Sequence, residues 1–146
     1  MTDRIETLKS LQQRIRTSTG PDRDLDALIY AWRHNAVSLG YSSIDHGWVF
    51  EYPAGKDCIE NEDLTRYTTD PDGLGACVSL LNAVLPGVEW SRDTDGEFWL
   101  WRETGSPQQE IGWISHSSKI ANDCLTFIDA IISAAIAQLE AQEAVG

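Results

Sequence analysis

Residues 97–103 read Glu-Phe-Trp-Leu-Trp-Arg-Glu, and this segment narrows the choice of folds more than any other. Side chains alternate across a strand, so Phe98 and Leu100 share one face with Arg102, and Trp99 and Trp101 share the other with Glu97 and Glu103. Both faces carry large apolar groups. If Phe98 and Leu100 face the core, the two tryptophans need a cover of their own: a helix, a partner subunit or a ligand.

The neighbouring segments extend this strand into a meander. Val88 to Arg92 predicts a strand, Asp93-Thr94-Asp95-Gly96 a hairpin turn, residues 104–109 a longer loop, and Glu110 to Ile114 a third strand. A fourth strand is expected at His46 to Tyr52, where Trp48 and Phe50 alternate with Val49 and Glu51, and Pro53-Ala54-Gly55 ends it. Lys56 to Arg66 reads as an acidic loop. Helical spacing of apolar residues predicts four helices. The first runs from Asp3 to Arg16, the second from Pro21-Asp22 to His34-Asn35. The third is expected to start at Asp70-Pro71-Asp72 and stop at Pro86-Gly87, and the last to run from Lys119 to about Ala141 behind caps at Ser115-His116-Ser117-Ser118. The expected fold class is α+β: one domain over 1–146, an antiparallel sheet of about four strands covered by helices in an α/β/α sandwich-like arrangement, and a frayed tail at 140–146.

Charge sharpens the reading of partners. The net charge is −12, but residues 1–35 hold six Lys/Arg against five Asp/Glu, and residues 36–146 hold five against eighteen. Nucleic-acid polymers and anionic membranes both ask for a cationic footprint, and neither is an expected partner. Three widely spaced cysteines, Cys58, Cys77 and Cys124, suit free thiols in a reducing compartment, and no apolar leader follows Met1.

The order of motifs resembles a known family. Thr19-Gly20-Pro21-Asp22-Arg23-Asp24-Leu25-Asp26 follows a short amphipathic helix. Tyr67-Thr68-Thr69, a helix ending Leu85-Pro86, a Trp-containing strand, a Phe98-Trp99 strand and an alanine-rich last helix come after it. This succession is similar to a family of small phage and prophage proteins with an α/β/α sandwich. The segment Gly-Pro-Asp-Arg-x-Leu-Asp is its most specific part. The chain departs from the family pattern at Asp70-Pro71-Asp72-Gly73, where family members run from Tyr-Thr through Ser and Asp into an Ala-rich helix. The resemblance implies a phage origin and action in the host cytoplasm. It brings no catalytic motif.

The residues offer little chemistry either. His34, His46 and His116 stand apart with no metal-ligand spacing, and Asp93, Asp95 and Gly96 are explained by a turn, so no metal and no cofactor is expected. Cys77 and Cys124 fall on apolar helix faces, and Cys58 lies between Asp57 and Glu60, whose charges raise a thiol pKa. No Gly-x-Ser-x-Gly is present, and Gly73-x-Gly75 is too weak for a phosphate loop. The candidate ligand-binding residues are therefore the surplus aromatics and the scarce cations of the acidic part: Arg66, Tyr67, Arg92, Trp99, Trp101 and Arg102. His116, Ser117, Ser118 and Lys119 join them as a helix N-terminus without an acid in its first turn. Covering of both sheet faces within one chain and an oligomer interface that builds a pocket are both compatible with this pattern. The reading that follows is a non-catalytic binding protein, a homo-oligomer that sequesters a small nucleotide signal through Arg forks and stacked rings. Two alternatives stand beside it: an acidic inhibitor or nucleic-acid mimic that binds a host protein, and a small enzyme that degrades a nucleotide signal.

Overall fold

A computed structural model describes residues 2–70, 72–103 and 111–145. The elements are α1 (Thr2–Thr17), α2 (Arg23–Arg33), β1 (Val37–Ser42), β2 (Gly47–Tyr52), β3 (Gly55–Glu60), α3 (Leu74–Val84), β4 (Glu89–Arg92), β5 (Phe98–Glu103), β6 (Ile111–Ser117) and α4 (Asp123–Val145). The class is α+β as expected, but the strands form two antiparallel sheets of three, β1-β2-β3 and β4-β5-β6, and not one sheet of about four. The sandwich is replaced by a helical layer that each sheet meets with one face.

The second sheet meets the main core. Phe98 and Leu100 of β5 are fully buried against α4, where Phe98 stacks on Phe127 at 4.8 Å between ring centroids. α1, α3 and the N-terminal half of α2 complete this core through Ile5, Leu8, Ile15, Leu25, Ile29, Leu80 and Leu81. α4 is apolar around most of its circumference because it is covered from several sides. Asp123–Ala144 has the length and hydropathy of a bilayer-crossing helix, but 67% of its most apolar window is buried within the fold.

Among the described residues the first sheet meets the helices mainly through α2. Ala27 and Ala31, on the other side of α2 from Leu25 and Ile29, pack with Trp48, Phe50 and Leu64 in a separate small cluster. Two of its strands, β1 and β3, went unrecognised in the sequence, the latter inside the expected acidic loop. Both are edge strands: β1 is exposed at every second residue and four of the six residues of β3 are exposed. β1 does alternate, Val37, Leu39 and Tyr41 against Ser38, Gly40 and Ser42, but its apolar side is the exposed one, and β3 has no buried face.

A polar clamp fixes this sheet to α2. Asp22 caps the helix, accepting from the amides of Asp24 and Leu25. The Arg23 guanidinium then spreads its fork over the 61–65 loop. Nε donates to Asn61 Oδ1, Nη2 to the carbonyls of Asn61 and Leu64 (3.0 Å for the latter), and Nη1 to the Asp26 carboxylate at 2.7 Å. Asp26, wholly buried, also accepts from the Thr68 amide and hydroxyl. Burial pushes its carboxyl up, and the Thr68 and Arg23 bonds pull it back. The Gly-Pro-Asp-Arg segment thus has a structural role, with Arg23 paired to Asp26 inside the first turn of the helix.

Two helix starts differ from expectation. α3 begins at Leu74, not at Asp70-Pro71-Asp72; its N-cap is Gly73, and Pro71 lies outside the described residues. The chain passes so close to the carbonyls of Arg66, Tyr67 and Thr69 at Gly73 that any Cβ would collide with them. α4 begins at Asp123, not Lys119, behind Asn122, whose side chain accepts from the Leu125 amide and donates to the Thr68 carbonyl. The expected caps Ser115 to Ser117 belong instead to β6, which runs three residues past its expected end at Ile114.

Candidate functional site

The face of the second sheet turned away from α4 carries three tryptophans. Trp99 and Trp101 stand on β5 and Trp113 on β6. Their rings meet edge to face, Trp99–Trp113 at 5.5 Å and Trp101–Trp113 at 5.9 Å, and His116 lies over Trp99 at 4.0 Å. Among the described residues no helix or strand packs over this face. Trp113 is 62% exposed, and Trp99 and Trp101 are half-buried by their neighbours in the sheet.

A β-bulge brings Trp113 there. Leu100 pairs with Ser115 and Trp101 with Trp113, so Ile114 is the extra residue. Counting by twos from His116, which pairs with Trp99, would put Ile114 outside and Trp113 inside. The bulge shifts the phase by one. Ile114 packs against the core, and the Ser115 hydroxyl donates to the Ala130 carbonyl of α4 at 2.8 Å. The sequence pattern gave no hint of Trp113, because a bulge leaves no fixed residue signature in a strand read by alternation.

The charged groups around the rings are mainly acidic. Glu97 pairs with His116, and Glu89 stands directly opposite Trp101 across the β4–β5 ladder. Asp93 receives the Trp99 indole N–H at 3.1 Å and the amides of Asp95 and Glu97. The indole bond, followed by the Glu97 amide, holds the Asp93 carboxyl below its usual value. Asp93, Asp95 and Glu97 cluster at the turn, but Asp93 is committed to organising the hairpin.

The ten residues singled out in the sequence scatter. Trp99, Trp101 and His116 come together on this face. Arg92 turns to the α4 side and pairs with Asp123 at 2.9 Å. Lys119 lays its stem against Gly96, 3.3 Å from where a Cβ would stand. Arg102 alternates with the tryptophans and belongs to the opposite side of β5, at its exposed end. Ser117 is buried and donates to Asp129, which also takes Arg16 at 2.8 Å. Ser118 is exposed beyond β6. The anion site expected at Ser117, Ser118 and Lys119 does not form, because the helix starts at Asp123 with an acid in its first turn. Tyr67 is 1% exposed, a core residue whose phenol is pushed up by burial and drawn down by Arg33, so its ring offers no stacking surface. Arg66 is exposed on the loop ahead of Tyr67.

The thiols are placed much as their sequence context suggested. Cys77 and Cys124 are buried side by side, each directed at backbone carbonyls, and contact with Cys124 together with burial holds the Cys77 thiol well above its usual value. Cys58 is half-buried and also raised, by partial burial first and then by Asp45, Asp57 and Glu60.

No protein family, no curated protein and no solved structure matches this chain. Its function has to be argued from the face itself.

Proposed function

We propose that the protein is a non-catalytic binding protein whose working surface is the Trp99–Trp101–Trp113 face, and that its partner is a protein presenting Lys or Arg side chains. The observation that carries this is the company the three rings keep. Glu89, Glu97 and Asp93 surround them, while Arg92 pairs with Asp123 on the other side of the sheet. An indole face attracts a cation within about 6 Å of its centroid, and a carboxylate beside it adds Coulomb attraction. Exposed tryptophans are also the residue type most enriched in interface hot spots. This is the acidic-inhibitor reading in concrete form. On the phage resemblance, the partner is a host protein met in the host cytoplasm.

Sequestration of a nucleotide signal uses the same rings but needs cations to grip phosphate. Of those that the sequence offered, Arg92 is paired with Asp123, Arg102 is on the opposite side of β5 and Arg66 stands on a separate loop, which makes this the second reading. One titration separates the two. Tryptophan fluorescence is followed while an arginine-rich peptide, an acidic peptide of equal length, and a panel of cyclic nucleotides and cyclic ADP-ribose isomers are added in turn. The expected result is saturable quenching by the basic peptide alone, weakened by salt and lost in the Trp101→Ala/Trp113→Ala double variant. Quenching that survives the double variant is general charge attraction and defeats the proposal. A response to nucleotides alone moves the assignment to the sequestration reading.

A further inference from the structure

The strongest exposed apolar feature outside the tryptophan face is β1 and the turn after it. Val37, Leu39 and Tyr41 are 58%, 48% and 50% exposed, and Ile44, at the tip of the β1–β2 hairpin, is 88% exposed. β1 is an edge strand whose one ladder partner is β2. Its sequence, Val-Ser-Leu-Gly-Tyr-Ser, contains no charge and no proline. Edges of monomers are usually guarded by such residues; here the remaining device is a bulge between Ser38 and Gly40.

Beside the start of this strand lies a groove of about 790 Å³ between α1, the end of α2 and residues 35–38. Leu8, Leu11, Leu28 and Trp32 supply apolar lining, and of the charged residues Arg4 and Arg14 outnumber Glu6.

We infer that β1 is the contact between two copies of this chain, paired antiparallel about a two-fold axis, with Ile44 of each copy seated in the groove of the other. The register follows from symmetry. A strand over 37–42 that pairs with itself is centred between Leu39 and Gly40, so position 37 meets 42 and position 44 falls opposite 35. Residues 35–38 are the rim of the groove. The most exposed aliphatic side chain of the hairpin therefore arrives at the opening of the groove, and two-fold symmetry makes the contact twice.

Charge agrees with this choice of surface. Residues 1–42 carry a net charge of +1 in a chain of −12, so this is the side on which two such molecules repel least. Asp45, next to Ile44, would come to the side of the groove that holds Arg4 and Arg14. A strand pairing alone falls short of the roughly 800 Å² per partner of a standard interface, and the two seated hairpin tips enlarge it.

The full chain is examined by light scattering during gel filtration over a range of concentrations, with circular dichroism to confirm folding of each variant. The wild type is expected at twice the 16.2 kDa of one chain. Leu39→Lys and Ile44→Glu each shift it to the monomer mass with an unchanged spectrum. Arg4→Glu/Arg14→Glu raises the dissociation constant roughly tenfold or more, and adding Asp45→Arg to that variant restores the dimer. Trp101→Ala/Trp113→Ala leaves the dimer intact, which keeps this contact separate from the proposed partner face. A monomeric wild type, assemblies that grow beyond two, a dimer that survives both Leu39→Lys and Ile44→Glu, or one that is lost in the tryptophan variant would each overturn the inference.

Discussion

The two sheets are the same size and antiparallel throughout, yet they are attached to the helices by different physics. The second sheet presses Phe98 and Leu100 into a core built by all four helices. The first rests Trp48 and Phe50 on Ala27, Ala31 and Tyr30 of α2 and on Leu64, a smaller cluster, and adds the Arg23 clamp. Their outward surfaces differ in the same sense. The well-anchored sheet can carry three tryptophans on its free face, because its inner face alone secures it. The lightly anchored sheet exposes an uncharged edge. Burial on one face is enough to make a sheet, and what the other face then carries is free to serve binding.

The sharpest way to break the comparison is to hollow out both inner faces in turn. Phe98→Ala removes a ring stacked on Phe127 and is expected to cost about 4–5 kcal/mol, with loss of near-UV and far-UV dichroism together in a denaturant titration. Phe50→Ala, in a five-residue cluster, is expected to cost about 3 kcal/mol. In hydrogen exchange its effect is expected to be confined to residues 37–60, with residues 98–103 still protected. Equal exchange in both sheets would mean that the two unfold as one unit.

Arg23→Ala comes next. It strips the clamp and leaves the buried Asp26 short of a partner, for an expected loss of about 2–4 kcal/mol, read by thermal unfolding. Arg23→Lys is expected to recover little of it, because one ammonium cannot reach Asn61, Leu64 and Asp26 as the three nitrogens of the fork do. Full recovery by lysine would reduce the clamp to a simple ion pair.

The smallest effect concerns the seam between α2 and the first sheet. Burial and the nearby Tyr52 push the Tyr30 phenol up to about 12. The folded state therefore holds this proton more tightly than the unfolded chain, in which a tyrosine titrates near 10. Its contribution is present below pH 10 and is lost as pH rises toward 12. Absorbance titration at the tyrosinate band is expected to show late-titrating groups, Tyr30 and the buried Tyr67, of which Tyr52→Phe brings down the first. No change in that variant would exclude Tyr52 as a cause.

Much of this architecture could be read from residue patterns. The four helices, the β4–β5 hairpin and the orientation of β5 follow from apolar spacing and turn chemistry, because each buries a distinct face. β1 and β3 did not follow, since an edge strand on a small sheet has little to bury. The α4 start was misplaced because Ser115 to Ser118 look like caps, whereas strand pairing opposite Phe98 to Leu100 claims three of them. The candidate site was half legible. Trp99 and Trp101 lie where alternation from Phe98 leads, but His116 reaches this face through the longer β6, Trp113 depends on a bulge, and the loss of Arg92 to Asp123 depends on a contact with a residue 31 positions further on.

The bulge at Ile114 makes the tryptophan face a matter of parity. Deleting that single residue would remove the bulge and leave Trp113 two residues before His116, on the same face by plain alternation, at the cost of the contact that Ile114 makes with the core. A chain that shares this surface by descent can keep the Trp113 position outward in two ways, with a bulge and a spacing of three to His116 or with no bulge and a spacing of two. In an alignment, a one-residue gap between positions 113 and 116 would therefore mark the loss of the bulge and not the loss of the face.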